Sequence, residues 1–431
     1  MFTQEAVEKL SASLNEPQWM LDLRLAAFEQ FTALPMPTTS DEPWRRTTLR
    51  RFKINTFSPS INGDASTDAT VPSHMAAQLT EDTVGGVLVQ IDGVTQRYEI
   101  SAALQEQGVI FCDMSTAVSE HPELVQKHFM TEAVKADEGK FAALHAAFWR
   151  GGTFLYVPKN VKAVAPLHSA LWSQNGHTFT HTLVLVEQGA EVVILDEYES
   201  AESPNQAIHN GVLELLVRDN ANLTYIGLQD FAKNMWQFNH ECGRVGRDGK
   251  LNWVTSIMGS RLTKAFQTIE LDGQGAYAQL SGLFFTDGRQ HFDLDTQQNH
   301  NAGDTVSDLL YKGALRGKSR SVWQGMIKVL PDSQRIDGFQ ANRNLLLDSD
   351  ARADSIPGLE IQADDVACTH ASTIGKIQPE EIFYLMSRGI EENIARQILV
   401  EGFFNPVMAR IPFEGVRDRI AERILEKARA I

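Results

Sequence analysis

Cysteine is scarce in this chain, and long apolar runs are missing. The 431 residues include three cysteines, Cys112, Cys242 and Cys368, whose odd number and wide spacing match no disulfide framework and no Cys-x-x-Cys metal pair. We expect reduced thiols, buried as small apolar side chains. No segment approaches the roughly 20 apolar residues of a membrane-spanning helix, and the first residues lack the basic and apolar segments of a secretion signal. A cytoplasmic protein with no membrane partner is therefore expected.

Basic residues are also fewer than acidic residues. The chain has 39 Lys and Arg against 55 Asp and Glu, a net charge of −16. An acidic surface repels phosphate backbones, which argues against nucleic acid as a partner. The imbalance is confined to the first 375 residues, because the last 56 carry nine basic and nine acidic side chains. A charge-balanced tail indicates that this part of the chain has different neighbours.

Proline is nearly absent from the middle of the chain. Between Leu167 and Leu330 the only proline is Pro204, while short runs of β-branched and aromatic residues alternate with Gly, Asn and Asp turn signals. A proline removes a hydrogen-bond donor from a strand, so its depletion fits interior strands. Glycines recur every 16 residues from Gly211 to Gly275, but the residues around them do not repeat. The pattern is compatible with a solenoid, a sandwich or a barrel.

Helical periodicity marks both ends of the chain. The predicted helices cover residues 5–15, 18–34, 123–130, 139–149, 378–388, 391–403 and 414–430. Ser58–Pro72 is polar and predicts a surface loop. The last helix has an apolar stripe, which either packs on its own domain or contacts a partner; it consists of Val416, Ile420, Ile424 and Ala428.

Three domains are expected from these patterns. They are an N-terminal helical domain with a mobile loop over 1–84, a β-rich core over 85–371 with a helical insertion at about 115–150, and a C-terminal helical domain over 372–431.

Two nucleotide-binding patterns fail on inspection. Gly313–Ser319 has three residues between its glycines, where a phosphate-binding loop needs four. Gly273–Ala278 is followed by a strand pattern, where a dinucleotide site needs a helix. We expect neither ATP nor a dinucleotide to bind this chain.

Two groups of polar side chains are candidates for chemistry. His291, Asp293 and Asp295 alternate along a strand, with His300 nearby. This group suits a metal site, the paired carboxylates of a glycoside-cleaving enzyme, or a hydrogen-bonded polar ladder. The second group is Cys368 with His370, which share one face of an extended strand. A thiol and an imidazole suit iron or zinc, but they need further ligands from elsewhere in the fold or from a partner chain.

Three segments carry a specific resemblance to a known family. Residues 336–347 (IDGFQANRNLLL), 359–370 (LEIQADDVACTH) and 382–390 (IFYLMSRGI) resemble the SufB/SufD family of iron–sulfur cluster assembly proteins, and the similarity covers nearly the whole chain. The SufD branch is the better match, because the SufB pattern has glutamates at the positions of Thr369 and Ala371.

This resemblance implies a fold and partners. SufD-like proteins have a right-handed parallel β-helix core flanked by helical domains, which agrees with the strand-rich middle and the helical ends. They pair with a SufB-like protein through the β-helices and bind a SufC-like ABC ATPase through their C-terminal helices. The resemblance thus implies a non-catalytic subunit of an ATPase-driven complex that supports de novo Fe–S cluster assembly and iron acquisition. In isolation such a chain could form a homodimer.

The resemblance also implies site residues. His370 matches a histidine at the SufB–SufD interface, where it is the implied ligand for iron or a transient Fe–S cluster, with Cys368 beside it. No intrinsic cofactor is implied, and flavin binding by the complex does not follow from the sequence. A SufB-like homodimeric scaffold and a polysaccharide-active enzyme using Asp293 and Asp295 are the alternatives. Docking of the ATPase is expected on apolar residues of the tail helices, namely Phe383, Ile390, Ile394, Ile398 and Phe403.

Overall fold

Parallel strands that alternate between two sheets form the core of the protein. The computed structural model describes residues 2–59, 72, 75 and 84–429, so the predicted loop at 58–72 lies almost entirely outside the described residues. The strands are β1 Gly86–Ile91, β2 Val94–Ile100, β3 Ile110–Asp113, β4 Thr153–Val157, β5 Leu167–Ser173, β6 His177–Thr178, β7 His181–Val186, β8 Glu191–Ser200, β9 Ala207–Val217, β10 Asn222–Asp230, β11 Met235–Val245, β12 Lys250–Ile257, β13 Leu262–Leu271, β14 Tyr277–Thr286, β15 His291–His300, β16 Val306–Leu315, β17 Arg320–Val329, β18 Ile336–Leu346, β19 Arg352–Ile361 and β20 Val366–Lys376.

Helices lie before, between and after these strands. They are α1 Gln4–Ser13, α2 Gln18–Ala33, α3 Ala102–Glu106, α4 Met114–Glu120, α5 Pro122–His128, α6 Lys140–Phe148, α7 Pro379–Ser387, α8 Glu392–Met408 and α9 Glu414–Arg429, with 3₁₀ turns at Glu42–Trp44 and Ile54–Thr56. None of the helices in the described residues is both long and apolar enough to cross a membrane.

The strands build a parallel β-solenoid of about eight turns. One sheet, here called sheet A, runs from β2 through β1, β5 and the even-numbered strands β8 to β20; the other, sheet B, runs from β3 through β4 and β7 to the odd-numbered strands ending at β19. Two pairs at the N-terminal end, β1–β2 and β3–β4, are antiparallel, and the neighbours that follow are parallel. The predicted mainly-β solenoid core with helical ends is therefore confirmed, and a sandwich or barrel is excluded.

Residues in register form columns along the solenoid axis. Because stacked parallel strands keep the same face inward, one column of sheet A stays in the core through many coils. Its members are Val192, Leu223, Leu251, Ala278, Ser307, Gly338 and Cys368. The first five are fully or almost fully buried, and the column changes from large apolar to small or polar residues toward the C-terminal coil.

Helices cover the two outer faces of the solenoid. α1, α2 and α6 pack on sheet B in one apolar cluster, which is why β9 is buried on both of its faces. α8 and α9 pack on the outer face of sheet A, and the stripe containing Ile420 and Ile424 contributes to that cluster. The apolar stripe of the last helix is therefore satisfied within the chain.

Candidate functional site at the open end of the solenoid

The solenoid ends in an open coil. β19 and β20 are the last strands of the two sheets, and no strand in the described part of the chain pairs with their outer edges. Their register continues the inward columns, so Leu359, Ile361 and Ile374 point toward the solenoid axis. These three apolar side chains are nevertheless exposed, because no further coil covers them. The open coil thus presents both unpaired backbone and apolar surface.

His370 and Cys368 lie on the inner face of this coil. His370 pairs with Gln340, which continues a buried column through Leu309, and Cys368 pairs with Gly338. His370 is exposed at the open end, whereas Cys368 is half-buried. Burial raises the pKa of the Cys368 thiol above its ordinary value. The strand therefore places the two predicted side chains on one face.

The described residues contain no group of three or more His, Cys, Asp or Glu side chains arranged to hold a metal ion. Cys368 and His370 on their own therefore form an incomplete ligand set, as their sequence spacing indicates. A thiol and an imidazole are suitable ligands for iron or zinc only when other groups complete the coordination.

The carboxylates of Asp293 and Asp295 share one cation, with Asp293 fully buried and Asp295 partly buried. Lys264 Nζ lies 3.0 Å from Asp293 Oδ1 and 2.7 Å from Asp295 Oδ2, and it donates to Pro43 O at 2.6 Å. Thr47 donates a hydrogen bond to Asp293. Burial raises the pKa of Asp295 to about 6. Of the three alternatives for this group, the geometry favours a hydrogen-bonded polar ladder, because the largely buried cluster ties the segment around Pro43 to sheet B.

The structure also corrects the placement of His300. Asp293 and Asp295 face outward from β15 toward Lys264, whereas His300 belongs to an inward column between Leu271 and Val329. His300 is fully buried. It therefore does not join the His291–Asp295 group but lies inside the solenoid near its open end.

A further buried cluster, on α6 and sheet B, was not predicted from the sequence. His145 on α6 contacts His181 on β7 at 3.1 Å, and His181 contacts Glu214 on β9 at 3.0 Å. All three side chains are buried. Glu214 also accepts the backbone N–H groups of Met130 and Val134. The cluster fixes the segment between α5 and α6 to sheet B, and only the unusual Glu within the apolar β9 sequence could have indicated it.

The tail helices carry an exposed apolar patch on α7 and α8. Phe383 is 73% exposed, and the patch consists of Phe383, Tyr384, Met386, Ile394 and Ile398. Of the other expected docking residues, Ile390 is half-buried between the two helices. Phe403 packs against the sheet A cluster and under the Lys312 ammonium, so it does not belong to the exposed patch.

Open sheet edges and exposed apolar helices are typical of a subunit of a larger assembly.

Residues 170–403 match the family "SUF system FeS cluster assembly, SufBD core domain", and residues 4–168 match "SufBD protein N-terminal region". The chain is 32% identical to the iron-sulfur cluster assembly protein SufD of Bacillus subtilis (strain 168), over 99% of this chain and 98% of that protein. It is 30% identical to an iron-sulfur cluster assembly SufBD family protein of Staphylococcus aureus (strain MRSA252), over 96% of this chain and 90% of that protein. The chain belongs to the SufBD family, and its resemblance to SufD is confirmed.

Proposed function

We propose that this SufD-like chain is a non-catalytic subunit of a cytoplasmic SUF assembly complex. In this proposal its open coil pairs with a SufB-like chain, its α7–α8 patch docks a SufC-like ATPase, and the complex supports de novo Fe–S cluster assembly and iron acquisition. The observation that carries the proposal is the open coil, which brings exposed sheet edges and the Cys368–His370 face together.

The open coil favours a second solenoid as the pairing partner. Long unpaired edge strands attract other strands, and proteins usually protect them with charge, proline, bulges or a covering element. β20 offers an edge of 11 residues, and its Ile374 is 47% exposed. A solenoid end of similar width would extend both sheets and bury the apolar side chains, as in strand addition.

His370 would face such a partner directly. Iron or an Fe–S cluster is here a cargo of the complex, and its remaining ligands would come from the paired chain. This division of ligands agrees with the incomplete set in the described residues. Cys368, two residues earlier on the same face, lies deeper in the coil.

The tail would connect the ATPase to the solenoid. The exposed patch on α7 and α8 is apolar, whereas the opposite side of α8 is fixed to sheet A. Lys312 Nζ donates to Phe403 O at 2.6 Å, and Arg410 pairs with Asp308 at 2.8 Å. Movement of a protein docked on the patch would therefore be transmitted to strand β16.

Oxygen-free affinity purification of the tagged chain from its own host tests the proposal. We expect an ABC-type ATPase and a larger SufBD relative to be recovered together. Ile374→Asp should lose the relative alone, and Phe383→Asp should lose the ATPase alone. Val164→Asp is the matched control, because Val164 is an apolar residue 92% exposed elsewhere on the surface. Recovery of neither protein with the wild-type chain would refute the proposal.

His370→Ala tests the role of the interface histidine. This variant should still recover both partners, because His370 is exposed at the open end of the solenoid. It should fail to restore Fe–S enzyme activities in a host that lacks the wild-type chain. Full restoration by His370→Ala would exclude the histidine from cluster assembly.

A further inference from the structure

Gly338 lies between a thiol and a buried imidazole inside the last coils. A Cβ built on Gly338 would lie 3.2 Å from Cys368 Sγ and 3.4 Å from His300 Nε2, with Ile327 Cγ2 also at 3.4 Å. The backbone of Gly338 does not have the positive φ that demands glycine. The glycine therefore matters for space, since it lets two potential ligand atoms face one position.

The hydrogen bonds around His300 fix its tautomer. Thr305 Oγ1 donates its proton to Ala302 O at 3.1 Å, so it must accept from His300 Nδ1, which lies 2.7 Å away. His300 Nε2 then carries the lone pair. Burial lowers the pKa of His300 to about 4, so the ring is neutral at pH 7. A donated Nδ1–H with a free Nε2 lone pair is the arrangement that orients a metal-binding histidine.

In the absence of any other ligand, the Ser307 hydroxyl group donates a hydrogen bond to the lone pair on His300 Nε2. Ser307 Oγ lies 2.8 Å from His300 Nε2 and accepts from Gln298 Nε2 at 2.6 Å. The Ser307 proton must therefore point to the imidazole. Any cation bound at Nε2 has to compete with this single hydrogen bond. Removal of the Ser307 hydroxyl should therefore change the affinity for the cation.

The neighbouring amide oxygens are also electron-pair donors. Gln298 and Gln340 are fully buried, and their Oε1 atoms have no hydrogen-bond partner in the described residues. Buried polar atoms without partners are uncommon and costly. Gln298 lies at the position that Ile269 has in the preceding coil, and His300 lies at the position of Leu271. The inside of the solenoid thus gains lone pairs in its last coils.

We propose that Cys368 Sγ and His300 Nε2 are ligands for one divalent cation of the ferrous or zinc class, bound at the position opened by Gly338. Thiolate with neutral imidazole is the donor pair that these borderline ions prefer. On binding, the S–H bond of Cys368 is replaced by a metal–sulfur bond and the proton leaves to water, with no change of oxidation state. The role of this site in cluster assembly rests on the proposed function, whereas cation binding itself does not.

Anaerobic titration of the full-length chain with Co²⁺ tests the proposal, because a cobalt–thiolate bond gives a charge-transfer band in the near ultraviolet. We expect one Co²⁺ per chain with such a band. Cys368→Ser and Gly338→Ala should abolish it; the second variant keeps both ligands and only fills the space between them. Thr369→Ala, on the opposite face of β20, is the matched control and should bind normally.

Two further variants separate ligation from a structural hydrogen-bond ladder. Ser307→Ala removes the competing hydroxyl and should tighten Co²⁺ binding about five-fold, the value of one ordinary hydrogen bond. His300→Gln should weaken it at least ten-fold. Because the histidine variant could misfold, the Ser307 and Gly338 variants decide the question without it.

Absence of the charge-transfer band in the wild-type chain would overturn the proposal, as would a band unaffected by Gly338→Ala or weakened by Ser307→Ala. Failure of cobalt binding together with normal recovery of both partner proteins would overturn this inference alone. Normal cobalt binding without either partner would overturn the proposed function alone.

Discussion

The buried His145–His181–Glu214 cluster predicts that one proton is held on Glu214 at neutral pH. Asn210 O accepts from His145 Nδ1, so His145 Nε2 must accept from His181 Nδ1. His181 Nε2 then has no proton to give to Glu214, which lies 3.0 Å away. Burial raises the pKa of Glu214 to about 8 and lowers the pKa of His181 to about 3. Both shifts place the shared proton on the carboxyl group.

The sign and size of the pH effect follow from these values. The pKa of Glu214 is higher in the folded chain than in the unfolded chain, so its stabilisation is present at low pH and is lost as pH rises through about 8. Between pH 6.5 and 8 only the folded state holds the Glu214 proton. The two histidines are neutral in the folded state, because burial lowers the pKa of both, whereas once exposed they lose protons as pH rises through their ordinary value near 6.5. Glu214 alone would lose about 1.7 kcal/mol over this interval, or about 16-fold in an opening equilibrium, and exposure of both histidines on opening would offset about 4-fold of it. The expected net change is therefore about 4-fold. The Glu132 carboxylate acts in the same direction because it also raises the pKa of Glu214.

Hydrogen–deuterium exchange of the segment between α5 and α6 measures this effect. Met130 and Val134 donate their N–H groups to Glu214, so their protection should fall about 4-fold between pH 6.5 and 8 after correction for intrinsic exchange. Glu214→Gln cannot titrate and should show no such fall. Equal pH dependence in both proteins, or no infrared band of a protonated carboxyl group at pH 7, would refute the reasoning.

Three further changes have defined outcomes. Lys264→Met leaves the buried Asp293 and the partly buried Asp295 without their shared cation and should destabilise the packing of the segment around Pro43 by about 3–5 kcal/mol, measured as faster exchange or proteolysis there; the loss should shrink as acidic pH protonates Asp295, whose pKa is raised by burial to about 6. Lys427→Met removes the Nζ donor to two core carbonyl oxygens and should free the end of α9 for proteolysis, whereas the exposed Lys318→Met should change neither segment. Iodoacetamide should modify Cys368 well before the two fully buried cysteines, and equal rates at all three thiols would contradict the burial seen here.

The strand-rich core and helical ends could be predicted from the sequence, but the solenoid could not be chosen over a sandwich. Scarce proline and frequent turn residues indicate strands wherever they lie. Coil length is the missing quantity: the steps from Leu251 to Ala278, Ser307, Gly338 and Cys368 are 27, 29, 31 and 30 residues. Such variable steps hide any periodic repeat. The 16-residue glycine spacing is close to half a coil, so it is related to the architecture without revealing it.

The candidate site shows the same limit. The common face of Cys368 and His370 follows from strand alternation within one short segment. The approach of His300 to Cys368 does not, because it depends on how β15, β18 and β20 stack around Gly338. Strand alternation describes the faces of one strand, whereas the position beside Gly338 that these two residues share is set by register across coils.

The path of α9 across sheet A has a mechanical consequence. The helix does not follow one coil but is attached to several, through Arg419 to Glu197 on β8, Arg423 to Asp230 on β10 and Lys427 to Phe285 on β14. A force applied to the tail is therefore distributed as shear over several strands at once. The coils then resist being separated one by one. Under such a load the solenoid would tilt as a stiff lever, and the largest displacement would occur at its free end.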